Sequence, residues 1–391
     1  MSDQDRAQRW RSVRHVLAVR VDGLGDLLMT TPALAAIRQS VPGVRLSLLT
    51  SPGAAGLASC VREIDDVIPF DAPWVKGSAS RVSGAVPSDA EHHLLEQLAR
   101  LNFDAAVIFT VCTQSALPAA LWCRLADIPL RLAHCRENPY NLLTDWVPDP
   151  DRLHTDMRHE VRRQLDLVGH AGWCVDHERL RLDLTAMQRE RARRLLHDAG
   201  VPMQRRFFIV HPGASDSSRR YPAERFGAAA DALAARSGCL PVFTGNAAEQ
   251  GLIADARRVM TQPSITLAGR LDVSELAALI GDARLLLTNN TGPAHIAAAV
   301  GTPVVVLYAL TNPQHTPWGA RSRVLSHDVP CRHCLRSVCP EGHHDCLVRV
   351  APEEIVDAGL ALLREAGPRP GQPIATRPAR TTEHAMQGFN A

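Results

Sequence analysis

Four groups of residues carry chemistry. The first is Thr291-Gly292-Pro293-Ala294-His295, which follows Asn290 and an apolar run and precedes another apolar run, 304–307. Gly292 allows close backbone approach and Pro293 suits a first helical turn, so a short helix is expected over 295–300. A strand, a polar turn and a helix N-terminus make an anion site, because outward N–H groups and the helix dipole both favour negative charge. A diphosphate would suit such a cradle, although an ordinary α/β turn without a ligand has the same letters. The second group is Arg219-Arg220, a few residues after His211-Pro-Gly-Ala-Ser215; guanidinium groups pair bidentately with phosphate oxygens. The third is Asp26, in Asp22-Gly23-Leu24-Gly25-Asp26 between a strand (15–21) and a helix (27–39). A carboxylate at a helix N-terminus stays ionised and can accept a proton, or it can serve only as a helix cap. Gly23-x-Gly25 lacks the third glycine of a dinucleotide fingerprint, which argues against an NAD-dependent oxidoreductase. The fourth group is Cys331-x-x-Cys334, Cys339 and Cys346, with His333, His343 and His344 close by. A chelating pair and two further thiols would suit a structural zinc or iron–sulfur site. Reduced or locally disulfide-bonded thiols that pin a loop are the alternative, since the second pair is loosely spaced.

The elements that must position these groups alternate between strand and helix. Strands are expected at 15–21, 45–49, 67–70 and 104–109, and again at 207–210, 240–244, 264–267, 282–288 and 304–307. Helices are expected at 27–39, 94–101, 186–199, 222–235 and 273–280. Residues 159–169 are amphipathic, with Val161, Leu165 and Val168 on one face; 76–91 reads as an exposed loop, 130–150 as irregular and 176–184 as a hinge. Repeated β-α units predict doubly wound parallel sheets, hence an α/β chain of two Rossmann-like halves facing a cleft. Ligands of such sheets bind beyond the carboxyl ends of the strands, where Thr113, Gln114 and Ser115 could touch an acceptor. The expected domains are 13–175 and 176–350, the second carrying the Cys-rich segment 331–346, then a terminal helix at 351–365 and a disordered tail at 366–391, rich in Pro, Gly, Thr and Arg.

Composition narrows the classes further. A chain of 391 residues is long for one core, and its 46% hydrophobic share is ordinary for a folded protein. A formal net charge of +2 argues against holding nucleic acid by bulk charge. The Arg-rich run 189–194 carries no aromatic residue and reads as a solvated face. Residues 1–13 lack an apolar stretch of signal type, and the uncharged stretch 105–123 is too polar for a membrane span, so a cytoplasmic protein is expected.

Taken together and in order, these motifs resemble glycosyltransferase family 9, the ADP-heptose:lipopolysaccharide heptosyltransferases, and most of all the heptosyltransferase II branch. The carriers are Leu24-Gly25-Asp26 with Thr31-Pro32-Ala33-Leu34; His211-Pro-Gly-Ala-Ser215; Arg220-Tyr221-Pro222-x-x-Arg225-Phe226; Gly245 with Glu249; Thr291-Gly292-Pro293-x-His295-x-Ala297-Ala298; and Gly301-Thr302-Pro303. The resemblance implies a GT-B fold, with the nucleotide sugar mainly on the C-terminal domain and the acceptor mainly on the N-terminal one. It implies an inverting transfer of a heptose, or a related sugar, onto a lipopolysaccharide core or another envelope glycan, with no metal needed for turnover. Asp26 matches the general base, with Gly25 beside it on the acceptor side. Ser215 and Arg219 match positions that hold the donor phosphates, Glu249 a ribose-binding acid, and Thr291, Gly292 and His295 the pyrophosphate turn. The Cys-rich segment also occurs in the heptosyltransferase II branch. Three positions depart from the pattern: Asn290 stands where most members have Asp, Arg219 where Lys is usual, and Tyr221 where Trp is usual. The expected partners are a nucleotide-sugar donor and a lipid-linked glycan at the inner face of the membrane, met by a monomer that is peripheral there and binds no nucleic acid. A sugar-nucleotide epimerase of GT-B architecture and a non-catalytic nucleotide-binding protein are the alternatives.

Overall fold

The computed structural model describes residues 3–75, 89–152, 157–202, 204–309 and 313–366. Two six-stranded, wholly parallel sheets organise it. The first contains β1 (His15–Arg20), β2 (Arg45–Thr50), β3 (Asp66–Pro69), β4 (Ala105–Ile108), β5 (Leu130–Cys135) and β6 (Asp145–Pro148), in the order β3-β2-β1-β4-β5-β6. The second contains β7 (Phe207–His211), β8 (Leu240–Phe243), β9 (Ile265–Thr266), β10 (Leu286–Asn289), β11 (Val304–Leu307) and β12 (Ser322–Leu325), in the order β12-β11-β10-β7-β8-β9. Both sheets therefore repeat one topology, and in each the strand order reverses next to the first strand. Crevices open at the carboxyl ends of the strands at such points, between β1 and β4 and between β7 and β10.

The central strands are apolar on both faces because helices cover both faces. Val16, Leu17, Ala18 and Val19 of β1 are all buried; even residues feed one core and odd residues the other. The second sheet does the same with Ile209 and Phe208. One core runs on between the lobes: Leu28, Met29 and Leu57 join Val161 and Leu165, and pack with Ala294, Ile296 and Ala297 of the helix Gly292–Val300.

Several expectations need correction. Residues 130–150 are not irregular, since β5 and β6 lie there. Their pattern is hidden by buried polar residues: Arg131 donates to the carbonyls of Leu142 (2.7 Å) and Asn141 (3.1 Å), and His134 to that of Arg163 (3.0 Å). β12 and the first helix, Asp3–Arg11, were also not foreseen; Trp10 of that helix packs edge-on to Trp173 at 5.3 Å. The loop expected at 76–91 lies outside the described residues up to 88, and its last three residues begin the helix Asp89–Arg100. The terminal helix Pro352–Glu365 packs on the second lobe, against the helix Ala223–Ser237: Ile355, Val356 and Leu362 share a core with Phe226, Leu233 and Val305. Residues 367–391, where the disordered tail was expected, lie outside the described residues.

Candidate active site between the lobes

Two helix N-termini meet where the lobes face each other. The helix Leu24–Ser40 begins three residues earlier than its apolar pattern suggests, with Gly23 as N-cap, so Asp26 falls in its first turn. Opposite it, the helix Gly292–Val300 begins at Thr291, again ahead of the expected start. The approach is close. A Cβ at Gly25 would lie 2.6 Å from His295 Cδ2, and one at Gly292 would lie 3.0 Å from Leu24 Cδ2. A side chain at Gly25 would overlap the His295 ring, whereas one at Gly292 would need only a small shift of the Leu24 side chain.

Asp26 is held at both oxygens. Its Oδ2 accepts the Gly23 N–H at 3.1 Å, and its Oδ1 lies 3.4 Å from Arg20 Nη2, with the side chain 24% exposed toward the gap. It is therefore a cap and an accessible carboxylate at once. Arg20 is wholly buried and serves two further acids: Asp22 (Nε–Oδ2 3.2 Å) and Glu160 (Nη2–Oε1 2.9 Å). Gln164 donates to Glu160 at 2.6 Å and Gln114 donates to Asp22. Burial pushes the Asp22 carboxyl up to about 6, with Arg20 opposing and Asp26 assisting. Burial also raises Glu160, but Arg20, Arg163 and His315 outweigh it and hold it below its ordinary value. His315 comes from the other lobe, and its Nε2 lies 4.0 Å from Glu160 Oε2.

On the second lobe, Arg219 ends a short 3-10 turn, Ser217–Arg219. Its Nη1 donates to the Asn290 carbonyl at 3.3 Å, and its Nη2 pairs with Asp216 at 2.6 Å. Arg219 and Asp26 both act electrostatically on His295, which burial, the largest cause, pushes down to about 4. His295 is thus a neutral imidazole near neutral pH. His295 Nδ1 and Arg219 Nε are buried without a hydrogen-bond partner among the described residues.

The remaining expected residues spread around this centre. Arg220 is exposed and donates to the Ala214 carbonyl at 2.8 Å, so it braces the loop next to the exposed Ser215. The Asn290 side chain is buried and its amide donates to the Ala309 carbonyl at 3.4 Å, while its backbone carbonyl accepts from Arg219. Glu249 folds back over two glycines at the carboxyl ends of β7 and β8. A Cβ at Gly213 would sit 2.0 Å from Glu249 Oε1, one at Gly245 2.9 Å from Oε2, and Asn246 N–H donates to Oε2 at 2.8 Å. After β4, Gln114 joins the Asp22 network, Ser115 donates to Glu137, and Thr113 is exposed. Arg20, Asp22, Glu160 and His315 were not singled out beforehand. The signal available was a charged Arg-Val-Asp ending an otherwise apolar strand, and a Glu at the mouth of an amphipathic helix.

Of the two readings of the cysteine segment, the geometry favours reduced thiols in a segment that pins a loop. Cys331, Cys334, Cys339 and Cys346 are half-buried free thiols, and Cys331 Sγ lies 4.0 Å from His343 Nε2. Burial, then the three other thiols, push Cys346 up to about 11. Among the described residues no three His, Cys, Asp or Glu side chains are gathered as metal ligands, so the structural zinc or iron–sulfur site lacks a ligand set. The segment instead grips the Arg219 turn: Ser218 N–H and the Ser217 hydroxyl donate to the Ser337 carbonyl (3.2 and 3.3 Å), and His344 donates to the Ser218 carbonyl at 2.6 Å.

Two Rossmann-like lobes with a polar site at the facing switch points define the GT-B class of folds. Residues 92–344 match the model for "Glycosyltransferase family 9 (heptosyltransferase)". The chain belongs to glycosyltransferase family 9. It is 23% identical over 360 residues to lipopolysaccharide heptosyltransferase 2 of Salmonella typhimurium, covering 90% of this chain and 99% of that one. It is 28% identical over 163 residues to lipooligosaccharide heptosyltransferase 2 of Campylobacter jejuni, spanning about half that relative (51%) and 40% of this chain. The solved structure of E. coli ADP-heptose lps heptosyltransferase II superposes with a TM-score of 0.70 at 20% identity, over 90% of this chain and 99% of that one.

Proposed function

We propose that this protein is an inverting heptosyltransferase, moving a heptose from ADP-heptose to a hydroxyl of a lipopolysaccharide core acceptor. One arrangement carries the reading: the helix bearing the accessible Asp26 carboxylate starts against His295 of the facing helix, and Arg219 bonds the Asn290 carbonyl just ahead of that helix. Asp26 takes the proton of the acceptor hydroxyl as its oxygen attacks the anomeric carbon. The bond from that carbon to the diphosphate breaks on the opposite face, and ADP leaves with the electron pair. Negative charge grows on the leaving oxygen, where Arg219 and the amides at the start of the helix Gly292–Val300 can meet it. His295 Nδ1 and Arg219 Nε, both without hydrogen-bond partners among the described residues, can bond donor oxygens, and the neutral imidazole adds no second cation to compete with Arg219.

In this scheme Ser215 and Glu249 line the nucleotide side and Thr113, Gln114 and Ser115 the acceptor side, with the lobe boundary in the crossing after residue 175. Charge stabilisation is assigned to Arg219 and backbone amides, so the proposed turnover uses no metal. Among the described residues no helix is long and apolar enough to cross a membrane. A lipid-linked acceptor would be met at the inner membrane face by a monomer working from the surface. Incubation with ADP-heptose and a heptose-free core acceptor should release ADP and give a glycoside of inverted anomeric configuration, with the rate unchanged by EDTA. Release of free or isomerised sugar without acceptor, or a rate abolished by EDTA and restored by a divalent ion, would overturn it.

A further inference from the structure

We propose that Arg20 and Glu160 are positioning residues for Asp26, forming a buried relay that aims the carboxylate. This rests on Asp26 being the base. Arg20 is 0%, Glu160 1% and Asp22 6% exposed, so these charges have no water to lean on and must satisfy each other. One guanidinium serves three carboxylates unequally. Glu160 makes the hydrogen-bonded contact at 2.9 Å, Asp22 lies at 3.2 Å, and Asp26 is the longest at 3.4 Å. Glu160 Oε1 and Asp26 Oδ1 share a single nitrogen, Nη2, so moving one moves the other. Together with the Gly23 N–H on Oδ2, Arg20 fixes the plane of the Asp26 carboxylate.

The inequality has a chemical consequence. A guanidinium paired with Asp26 alone would hold that carboxylate strongly in its charged form and weaken it as a base. Glu160 and Asp22 hold the guanidinium at the shorter distances, so Asp26 is aimed by it without being its main partner. The other charged or titratable groups facing the relay are His159 and Arg163 at and on the Glu160–Gly169 helix, His295 and His315 from the second lobe, and Arg219 beyond them; burial lowers His159 as well. Burial keeps both second-lobe histidines neutral near pH 7, which leaves the arginines as the cations. Glu160 Oε2, without a hydrogen bond among the described residues, faces His315, so the relay ends at the surface of the opposite lobe.

The test is the pH dependence of kcat/KM in Glu160→Gln, Arg20→Gln and Arg20→Lys, with ADP-heptose KM measured alongside. Glu160→Gln frees the guanidinium for Asp26: the acidic limb moves to lower pH and kcat falls about 10-fold, with the donor KM nearly constant. Arg20→Gln moves the acidic limb to higher pH, and Arg20→Lys, which keeps charge but loses the shared nitrogen, lowers kcat without moving KM. If Arg20→Gln fails to fold, the near-isosteric Glu160→Gln decides alone. Folded Glu160→Gln and Arg20→Gln with a wild-type profile and kcat, or with a lower kcat on unshifted limbs, would overturn the relay, as would Arg20→Lys with wild-type kcat. Asp26→Asn separates the two levels: if it stays active, the base assignment itself falls, whereas an inactive Asp26→Asn beside wild-type-like Glu160→Gln and Arg20→Lys removes only the relay.

Discussion

His295 joins two demands at one residue: it is buried between the lobes, and it must stay uncharged there. Its folded proton affinity, about 4, lies below the ordinary imidazole value of 6.5, chiefly through burial. The unfolded chain therefore binds a proton in a window where the folded chain does not. The stability this contributes is fully present above pH 6.5 and is lost as the pH falls toward 4, to the extent of about 3 kcal/mol. Chemical denaturation of wild type and His295→Gln across that window should show wild type losing stability faster on acidification; parallel curves would show that His295 does not carry the dependence. Asp22 works in the opposite sense, since its raised affinity weakens the fold as pH rises from about 4 to 6, so the variant difference is the quantity to read.

The two facing helices set the distance between the lobes. At Gly25 an added methyl would overlap the His295 ring, with 2.6 Å between Cβ and Cδ2, in a place where neither backbone can retreat freely. Gly25→Ala should cost about 1–3 kcal/mol of stability, and His295→Ala in the same chain should recover a large part of it. Additive losses in that double-mutant cycle would show that the two residues do not touch. Much of this level was legible in the sequence. Apolar runs such as Val304–Leu307 read as buried strands, and Leu24-Gly25-Asp26 and Thr291-Gly292-Pro293 marked the two turns, although both helices start about three residues before the expected 27 and 295. What stayed hidden was polar and buried. Arg131 and His134 disguised β5 because their partners are backbone carbonyls distant in sequence. Glu160 read as one more charge on an amphipathic helix, because only the fold brings Arg20 to it from 140 residues away. The cysteines were legible as a cluster, but their segment's grip on the Arg219 turn depends on Ser337 and His344, which carry no motif.

Across the whole molecule, the lobes are fastened by a few specific contacts and one shared core. His159 stacks on Trp318 at 4.5 Å and donates to the Thr316 carbonyl at 2.9 Å, while the Trp318 indole donates to the Glu178 carbonyl at 2.7 Å. These join the first lobe, the second lobe and the crossing chain beside the polar centre, so the lobes approach each other where Asp26 and Arg219 must cooperate. That cooperation is the central claim, and the sharpest measurement of it is turnover and ADP-heptose affinity in Asp26→Asn. The account predicts transfer reduced by about 10²–10⁴-fold with donor affinity nearly intact, because the acid of the first lobe handles only the acceptor's proton. Near-normal transfer by Asp26→Asn, or a loss of donor binding as large as the loss of turnover, would contradict it.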